Sequence, residues 1–269
     1  GVRVVLERSG GRLDAVVHNA GVAVGGAFED VPDAEARRVM ETNFWGVLAL
    51  TRALLPTFRA QRSGRIVIVS SNSAYAGEPA NAIYVASKWA IEGWAESLAY
   101  ELAPFRIGVV LVEPGSYKTE IWGSSPRILP DHSAYRPFMQ HLEKAIDEKV
   151  LASARDPREV AQVIARALDA PHPRFRYPVG PDAWIGHLAR GKVPSRVLRT
   201  ASTRLLGLHR VRVYEMQSRV KTSFDATLPA DPNAVRTLGR PYLSIGLSDV
   251  RGVAGNPVLT VDGAVLPLL

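Results

Sequence analysis

Short, continuously apolar runs rich in β-branched residues, each followed by a stretch of helical periodicity, constrain this chain more than any other feature. Leu13 to His18, Arg65 to Ser70 and Ile107 to Val112 have the length of strands and little polar alternation, the pattern of strands covered on both faces of a parallel sheet. Phe175 to Val179 is a weaker fourth run. Asp33 is a candidate N-cap for a helical pattern through Met40, Phe44, Val47, Leu48 and Leu55 toward Gly64, interrupted at Asn43 and Gly46 and open to bending at Pro56. A second helix is predicted from about Tyr84 to Leu102, with Ala90, Ile91, Trp94 and Leu98 at apolar spacing and Pro104 beyond its end. Asp156-Pro157-Arg158-Glu159 reads as a capping box ahead of Val160, Val163, Ile164, Ala167 and Leu168, with a stop near Pro171. Strands alternating with helices of this length require right-handed crossovers, so the expected fold is α/β with a doubly wound parallel sheet.

Composition narrows the function classes. With 46% hydrophobic and 22% charged residues, a 269-residue chain can bury a sizeable core, which excludes disordered and collagen-like classes. The net charge of +7 comes from scattered arginines with no dense basic run interleaved with aromatics, so no nucleic-acid partner is expected. The absence of cysteine excludes disulfides, thiolate catalysis and Cys-ligated zinc, and no metal site is expected. No run is long and apolar enough for a membrane span, and the N-terminus lacks signal-peptide order; a cytoplasmic, soluble protein is the expectation.

Tyr84 and Lys88 stand four apart on the second helix, on one face, within reach of a common ligand. A phenol with an ordinary pKa near 10 is a poor acid/base at neutral pH, and a nearby ammonium is expected to lower that value. The pair alone is weak evidence, since chance supplies one in roughly a fifth of chains of this composition. Its surroundings strengthen it. The strand Ile66 to Val69 ends in Ser70-Ser71, at a strand terminus where α/β enzymes place reactive groups, and Gly77 and Pro79 punctuate the loop to the helix. A serine there can donate to and accept from a substrate oxygen, or serve only as a turn or capping hydroxyl.

These elements resemble the short-chain dehydrogenase/reductase family from near the start of the chain to about Leu208. The residues that carry the resemblance are His18-Asn19-Ala20-Gly21 after a strand, Asn43-Phe44-Trp45-Gly46 in a helix, Ser71, Tyr84-Val85-Ala86-Ser87-Lys88, and Pro114-Gly115 with Thr119 after the next strand. They follow the family's order at family-like spacings. The resemblance implies a Rossmann-like sheet and an oxidoreductase that moves a hydride between NAD or NADP and a secondary alcohol or ketone. It makes Tyr84 the general acid/base, Lys88 its electrostatic partner and a holder of the nicotinamide ribose, Ser71 the hydroxyl that orients the substrate oxygen, and Asn43 part of a proton relay through its backbone carbonyl. Asn19, Ala20 and Gly21 would let the cofactor's adenosine part pass close to backbone, and Pro114, Gly115 and Thr119 would hold its carboxamide end. His18, often Asn in the family, is expected to be a packed, non-catalytic residue. Trp122, Ile128, Leu129, Tyr135, Phe138 and Met139 fall where the family places its substrate-covering segment, which hints at an apolar substrate or else at ordinary core or a subunit interface. Family habit also implies a homo-oligomer.

The family's glycine-rich phosphate-binding turn has no counterpart here: Gly10-Gly11 and Gly21 to Gly26 have the wrong spacing and context, and the first strand resembles the family's fourth. The expected organisation is therefore an N-terminally truncated catalytic domain over 1-210 and a tail over 211-269. The strand Leu13 to His18 should then be an exposed apolar edge, and the chain a fragment of a longer enzyme. The tail is open to three readings: an appended element, a disordered extension, or a reading-frame error. The alternative function is a non-catalytic binding or scaffold protein on the same fold. Pro194 to Leu208, with Val197, Leu198, Ala201, Leu205 and Leu206 among Arg196, Arg199 and Arg204, forms a basic amphipathic helix that could touch an anionic membrane surface but is expected to pack on its own domain or a partner subunit.

Overall fold

A computed structural model describes residues 2–210, 259–261 and 264–266. The chain divides into two units, Gly1–Val220 and Lys221–Leu269. In the first, the order is α1 (Val2–Arg8), β1 (Ala15–His18), β2 (Gly25–Gly26), α2 (Asp33–Met40), a π-turn (Glu41–Trp45), α3 (Gly46–Gln61), β3 (Gly64–Val69), α4 (Ala82–Leu102), β4 (Ile107–Pro114), α5 (Ile121–Ser124), β5 (Arg127–Ile128), α6 (Arg136–Lys149), α7 (Arg158–Asp169), β6 (Arg176–Val179), α8 (Pro181–Ala189) and α9 (Ser195–Leu205). The main sheet is parallel in the order β1-β3-β4-β6, and β2 and β5 form a separate two-stranded ladder.

Burial on both faces explains the continuously apolar runs. Ile66, Ile68 and Leu111 point to one side, onto Leu54 and Phe58 of α3 and Ile91, Ala95 and Leu98 of α4. Val67, Val110 and Val112 point to the other, onto Val163 and Ala167 of α7. The edge strand β1 pairs only with β3 among the described residues. Its Val16 packs on the first cluster, whereas Val17, on the α7 side, remains 38% exposed.

One local expectation holds and two change. The pattern from Asp33 toward Gly64 is interrupted at Asn43 and Gly46 as expected, because the π-turn separates α2 from α3: Gly46 N–H bonds to Glu41 O, five residues back. A Cβ at Gly46 would lie 3.2 Å from that oxygen, so a glycine suits the widened turn. Pro56 sits inside α3 without ending it. Pro32, not Asp33, holds the cap position of α2, and Asp33 instead pairs with Arg37 one turn on. At α7, Asp156 Oδ1 accepts the Arg158 N–H at 2.9 Å, but Glu159 turns away to Arg155 and Tyr117, so the reciprocal half of the capping box is missing.

The turn into β3 is sterically specified. A Cβ at Gly64 would lie 2.5 Å from Cδ1 of Phe58, a ring with no exposed surface, so a side chain there would displace the core. The amphipathic helix expected after Pro194 forms as α9, but Val197 and Leu205 stay 54% and 64% exposed, so its apolar stripe is only partly covered. No described helix is long and apolar enough to cross a membrane. In the second unit, β7 (Leu259–Val261) and β8 (Ala264–Leu266) form an antiparallel hairpin with Leu259 opposite Leu266. The remaining expectations for the tail fall outside the described residues.

Candidate active site

Parallel strands end on one edge of the sheet, and that edge gathers most of the expected site residues. Ser70 and Ser71 follow β3, Pro114 closes β4 with Gly115 next, and Asn19 to Gly21 follow β1. Tyr84 and Lys88 lie in the first two turns of α4, which enters beside them after the loop from Ser71 to Asn81.

Ser71 is buried in extended backbone at the N-cap of a short 3-10 turn, and its Oγ accepts the Ser73 N–H at 3.1 Å. The capping reading of this serine is met, and the same oxygen lies beside Tyr84. Lys88 is buried as well; its Nζ donates to Val69 O at 3.0 Å and stands 5.5 Å from the centroid of the Tyr84 ring. Asn43, in the π-turn, clamps the site from behind: Nδ2 donates to Val22 O and Ser87 Oγ, and Oδ1 accepts Val22 N–H, each at 2.9 Å. Ser87 Oγ in turn donates to Tyr84 O at 2.7 Å, which links the π-turn to the turn of α4 that bears the phenol.

The electrostatics differ from the expectation at Tyr84. Burial pushes its phenol up to about 12, the Ser71 hydroxyl acts in the opposite direction, and the charge of Glu78 adds to the rise. The expected lowering by the ammonium does not appear; desolvation of the phenolate is the largest effect here. Burial also brings Lys88 down to about 8, with Glu92 one turn on resisting that fall. His18 is packed as expected: its Nε2 lies 2.9 Å from Thr51 Oγ1, and burial holds its pKa down at about 4.

Gly21 and Gly115 carry different constraints. A Cβ on Gly21 would stand 3.6 Å from Asn43 Oδ1 and 3.8 Å from Lys88 Nζ, so the glycine leaves a cradle in front of the lysine. At Gly115 a Cβ would fall 1.9 Å from Asp182 Oδ1. Asp182, in the first turn of α8, accepts Ser116 N–H at 2.8 Å and fixes the loop after β4. Asn19, Ala20 and Thr119 are exposed, and among the described residues the Thr119 hydroxyl makes no hydrogen bond. The apolar segment divides: Met139 joins the core, whereas Trp122 stays 37% exposed with its Nε1 donating to Tyr117 O at 2.8 Å.

Three groups escaped the motifs. Asp182 is one. Glu78 is another, its Oε1 accepting from Ser73 Oγ at 2.8 Å and its Oε2 from Asn81 Nδ2 at 2.9 Å. The third is an ionic cluster behind the site. Arg176 donates to Glu92, to Glu113 Oε1 at 2.6 Å and to Glu96 Oε2 at 3.1 Å, and Arg190 reaches Glu92 at 3.2 Å. Glu113 is wholly buried, which raises its pKa, and the neighbouring charge of Glu92 raises it further. The available signal was a carboxylate inside an apolar strand and another on the apolar side of α4.

Comparison with known proteins agrees with this fold. The family model described as short chain dehydrogenase matches residues 2–127, and that described as Inner membrane protein CreD matches residues 193–268. An uncharacterized oxidoreductase, YusZ, of Bacillus subtilis is 40% identical over 68% of this chain and 66% of its own. A 3-ketodihydrosphingosine reductase of Bacteroides thetaiotaomicron is 36% identical, with 64% of each chain covered. Human 17-beta-hydroxysteroid dehydrogenase type 1 is 35% identical over 62% of this chain and 52% of its own. The chain thus spans less than two thirds of the length of these curated relatives. A crystal structure of a short-chain dehydrogenase from Streptomyces avermitilis superposes with a TM-score of 0.58 at 32% identity, covering 77% of this chain and 73% of that one. Ordered residues, sheet and comparisons converge, and the chain belongs to the short-chain dehydrogenase/reductase family.

Proposed function

We propose that this chain carries the catalytic site of an oxidoreductase that interconverts an apolar secondary alcohol and its ketone with NAD or NADP. The observation that carries the reading is the convergence of Ser71, Tyr84 and Lys88 at one strand edge, with Asn43 bracing the helix turn that bears the phenol. Tyr84 exchanges a proton with the substrate oxygen. With its phenol held near 12 it is protonated at neutral pH, the form that a ketone needs as a donor. Ser71 orients that oxygen through its hydroxyl.

The nicotinamide end of a dinucleotide fits the residues present. Lys88 uses one of its N–H groups on Val69 O, leaving two for ribose hydroxyls, and Gly21 keeps the space in front of it clear. Pro114 and Gly115 lie beside it on the same sheet edge. When bound, the cofactor supplies the hydride or accepts it. A xylitol dehydrogenase of the same architecture, 25% identical with a TM-score of 0.53, is described with NAD+ bound. The names of the relatives, a ketodihydrosphingosine reductase, a retinol dehydrogenase and a hydroxysteroid dehydrogenase, support an apolar substrate class. Exposed Trp45, Leu50, Trp89 and Tyr100 on the helices flanking the sheet support association into a homo-oligomer.

The test is Tyr84→Phe, assayed with a panel of apolar secondary alcohols and ketones and both coenzymes. Loss of a general acid/base is expected to cost about 10²–10⁴-fold in kcat. Undiminished turnover would overturn the assignment.

A further inference from the structure

Ser71 is a terminus of a chain of polar groups that runs away from Tyr84. Its Oγ lies 3.1 Å from Ser73 Oγ; Ser73 Oγ lies 2.8 Å from Glu78 Oε1; and Glu78 Oε2 accepts from Asn81 Nδ2 at 2.9 Å. Ser73 is buried and its position is independently held, because Trp89 Nε1 donates to its carbonyl at 3.0 Å. No step of the proposed chemistry uses Ser73 or Glu78.

Each serine hydroxyl has one proton to give, so the direction of donation along this chain is set at its far end. An ionised Glu78 can only accept. It takes the Ser73 proton, and Ser73 Oγ is left with lone pairs facing Ser71. The Ser71 proton is then drawn toward Ser73, where Asn72 Oδ1, 3.3 Å from Ser71 Oγ, offers a second acceptor on the same side. In that state Ser71 shows the phenol a lone pair, and Tyr84 keeps its proton by donating. When position 78 donates instead, Ser73 donates to Ser71, and Ser71 turns its proton toward Tyr84 and the substrate oxygen.

We propose that Glu78 is a positioning residue that sets, through Ser73, whether the Ser71 hydroxyl donates toward or accepts from Tyr84 and the substrate oxygen. The proposal rests on the assignment of Ser71 and Tyr84 above and adds the group that orients them. Glu78 is half-buried, and desolvation raises its pKa, so it is a carboxyl whose proton occupancy the surroundings can change. The other ionisable groups near this chain are Tyr84 itself, Lys88 5.5 Å from its ring and Glu92 one turn beyond Lys88, all on α4, and Asp182 of α8, whose Oδ2 accepts from Asn72 Nδ2 at 3.5 Å.

Glu78→Gln reverses the relay without changing shape. Asn81 donates to Oε2, so the amide oxygen takes that place and the amide N–H₂ faces Ser73. The readout does not require turnover: 3,5-difluorotyrosine placed at position 84 ionises where the protein is folded, and its ¹⁹F signal is free of the other tyrosines. Glu78→Gln is expected to lower the position-84 pKa by about one pH unit, a tenfold change in its ionisation equilibrium. The direct charge effect of Glu78 would act in the same direction, and Ser73→Ala separates the two. If the relay operates, Ser73→Ala abolishes most of the difference between Glu78 and Gln. A shift that persists in full on the Ser73→Ala background, or no shift at all, overturns the proposal. Ser73→Cys, which keeps the volume and weakens the hydrogen bond, serves if Ser73→Ala lowers the folded yield. In turnover assays of the full chain, Glu78→Gln is expected to move the kcat/KM profile to lower pH with little change in KM. Loss of the acid/base role in Tyr84→Phe and loss of the ¹⁹F shift are separate results, so the two readings fail separately.

Discussion

Arg176→Met tests how the wall behind the site is held. Arg176 Nη1 donates to Glu113 Oε1 and to Glu92, carboxylates that are 0% and 2% exposed. Methionine fills the space of the arginine stem but leaves those charges without their shared partner. Removing one side of a buried pair costs about 3–5 kcal/mol, since the remaining charge is desolvated without compensation. Arg190 remains 3.2 Å from Glu92, which places the expected loss near the lower end, about 3 kcal/mol. For a unit of this size that corresponds to a fall in Tm of about 6–12 °C.

The pH dependence has a definite sign. Glu113 already has a raised pKa through burial and the charge of Glu92, and Arg176 works against that rise. Without Arg176 its folded value climbs further above the unfolded one. A carboxyl raised in the folded state contributes stability that is fully present below its unfolded pKa, near 4.3, and is lost as pH rises through the folded value. Urea unfolding followed by circular dichroism should therefore show a larger loss for Arg176→Met at pH 8 than at pH 5, and Glu113→Gln added to it should restore part of the loss at pH 8. A loss below about 1 kcal/mol at pH 8, the level of an exposed ion pair, would refute the reasoning. So would a loss of equal size at both pH values.

Other measurements probe the remaining walls of the site. Gly115→Ala should destabilise the protein by about 1–3 kcal/mol, because its Cβ would fall 1.9 Å from Asp182 Oδ1; adding Asp182→Ala should recover part of that loss in thermal melts, and strict additivity would contradict the clash. His18 is held neutral in the fold with a pKa of about 4, below its ordinary 6.5. Its contribution is therefore present above the unfolded pKa and is lost as pH falls from 6.5 toward 4. His18→Gln, which can keep a hydrogen bond to Thr51, should flatten stability across that window, and an unchanged acid limb would count against a buried neutral imidazole.

How much of this was legible beforehand follows from the kind of constraint involved. The four strands of the main sheet could be read because burial on both faces leaves a local mark: Ile66, Val67 and Ile68 are all apolar because α3 and α4 cover one side and α7 the other. Tyr84 and Lys88 could be read because one helix turn sets their spacing, and Ser71 because it lies just past the end of a strand. The π-turn at Glu41–Trp45 left only a hint at Asn43 and Gly46, since its cause is a single bond from Gly46 to Glu41 rather than a periodic pattern.

The groups that tune the site left less. Arg176 meets Glu92 and Glu113 across three separate elements, and no spacing along the chain encodes such a meeting. The expected fall in the Tyr84 pKa failed for the same reason. Proximity of Lys88 is a local property of α4, whereas desolvation depends on everything packed around the phenol, and here desolvation is the larger effect. Residue identity at fixed spacing therefore specifies which groups meet at this edge of the sheet. Their proton affinities depend on contacts made by the loop between Ser71 and Asn81, and that loop holds both Ser73 and Glu78. A family member that kept Ser71, Tyr84 and Lys88 but lacked a carboxylate at the position of Glu78 should share the chemistry and differ in its pH profile.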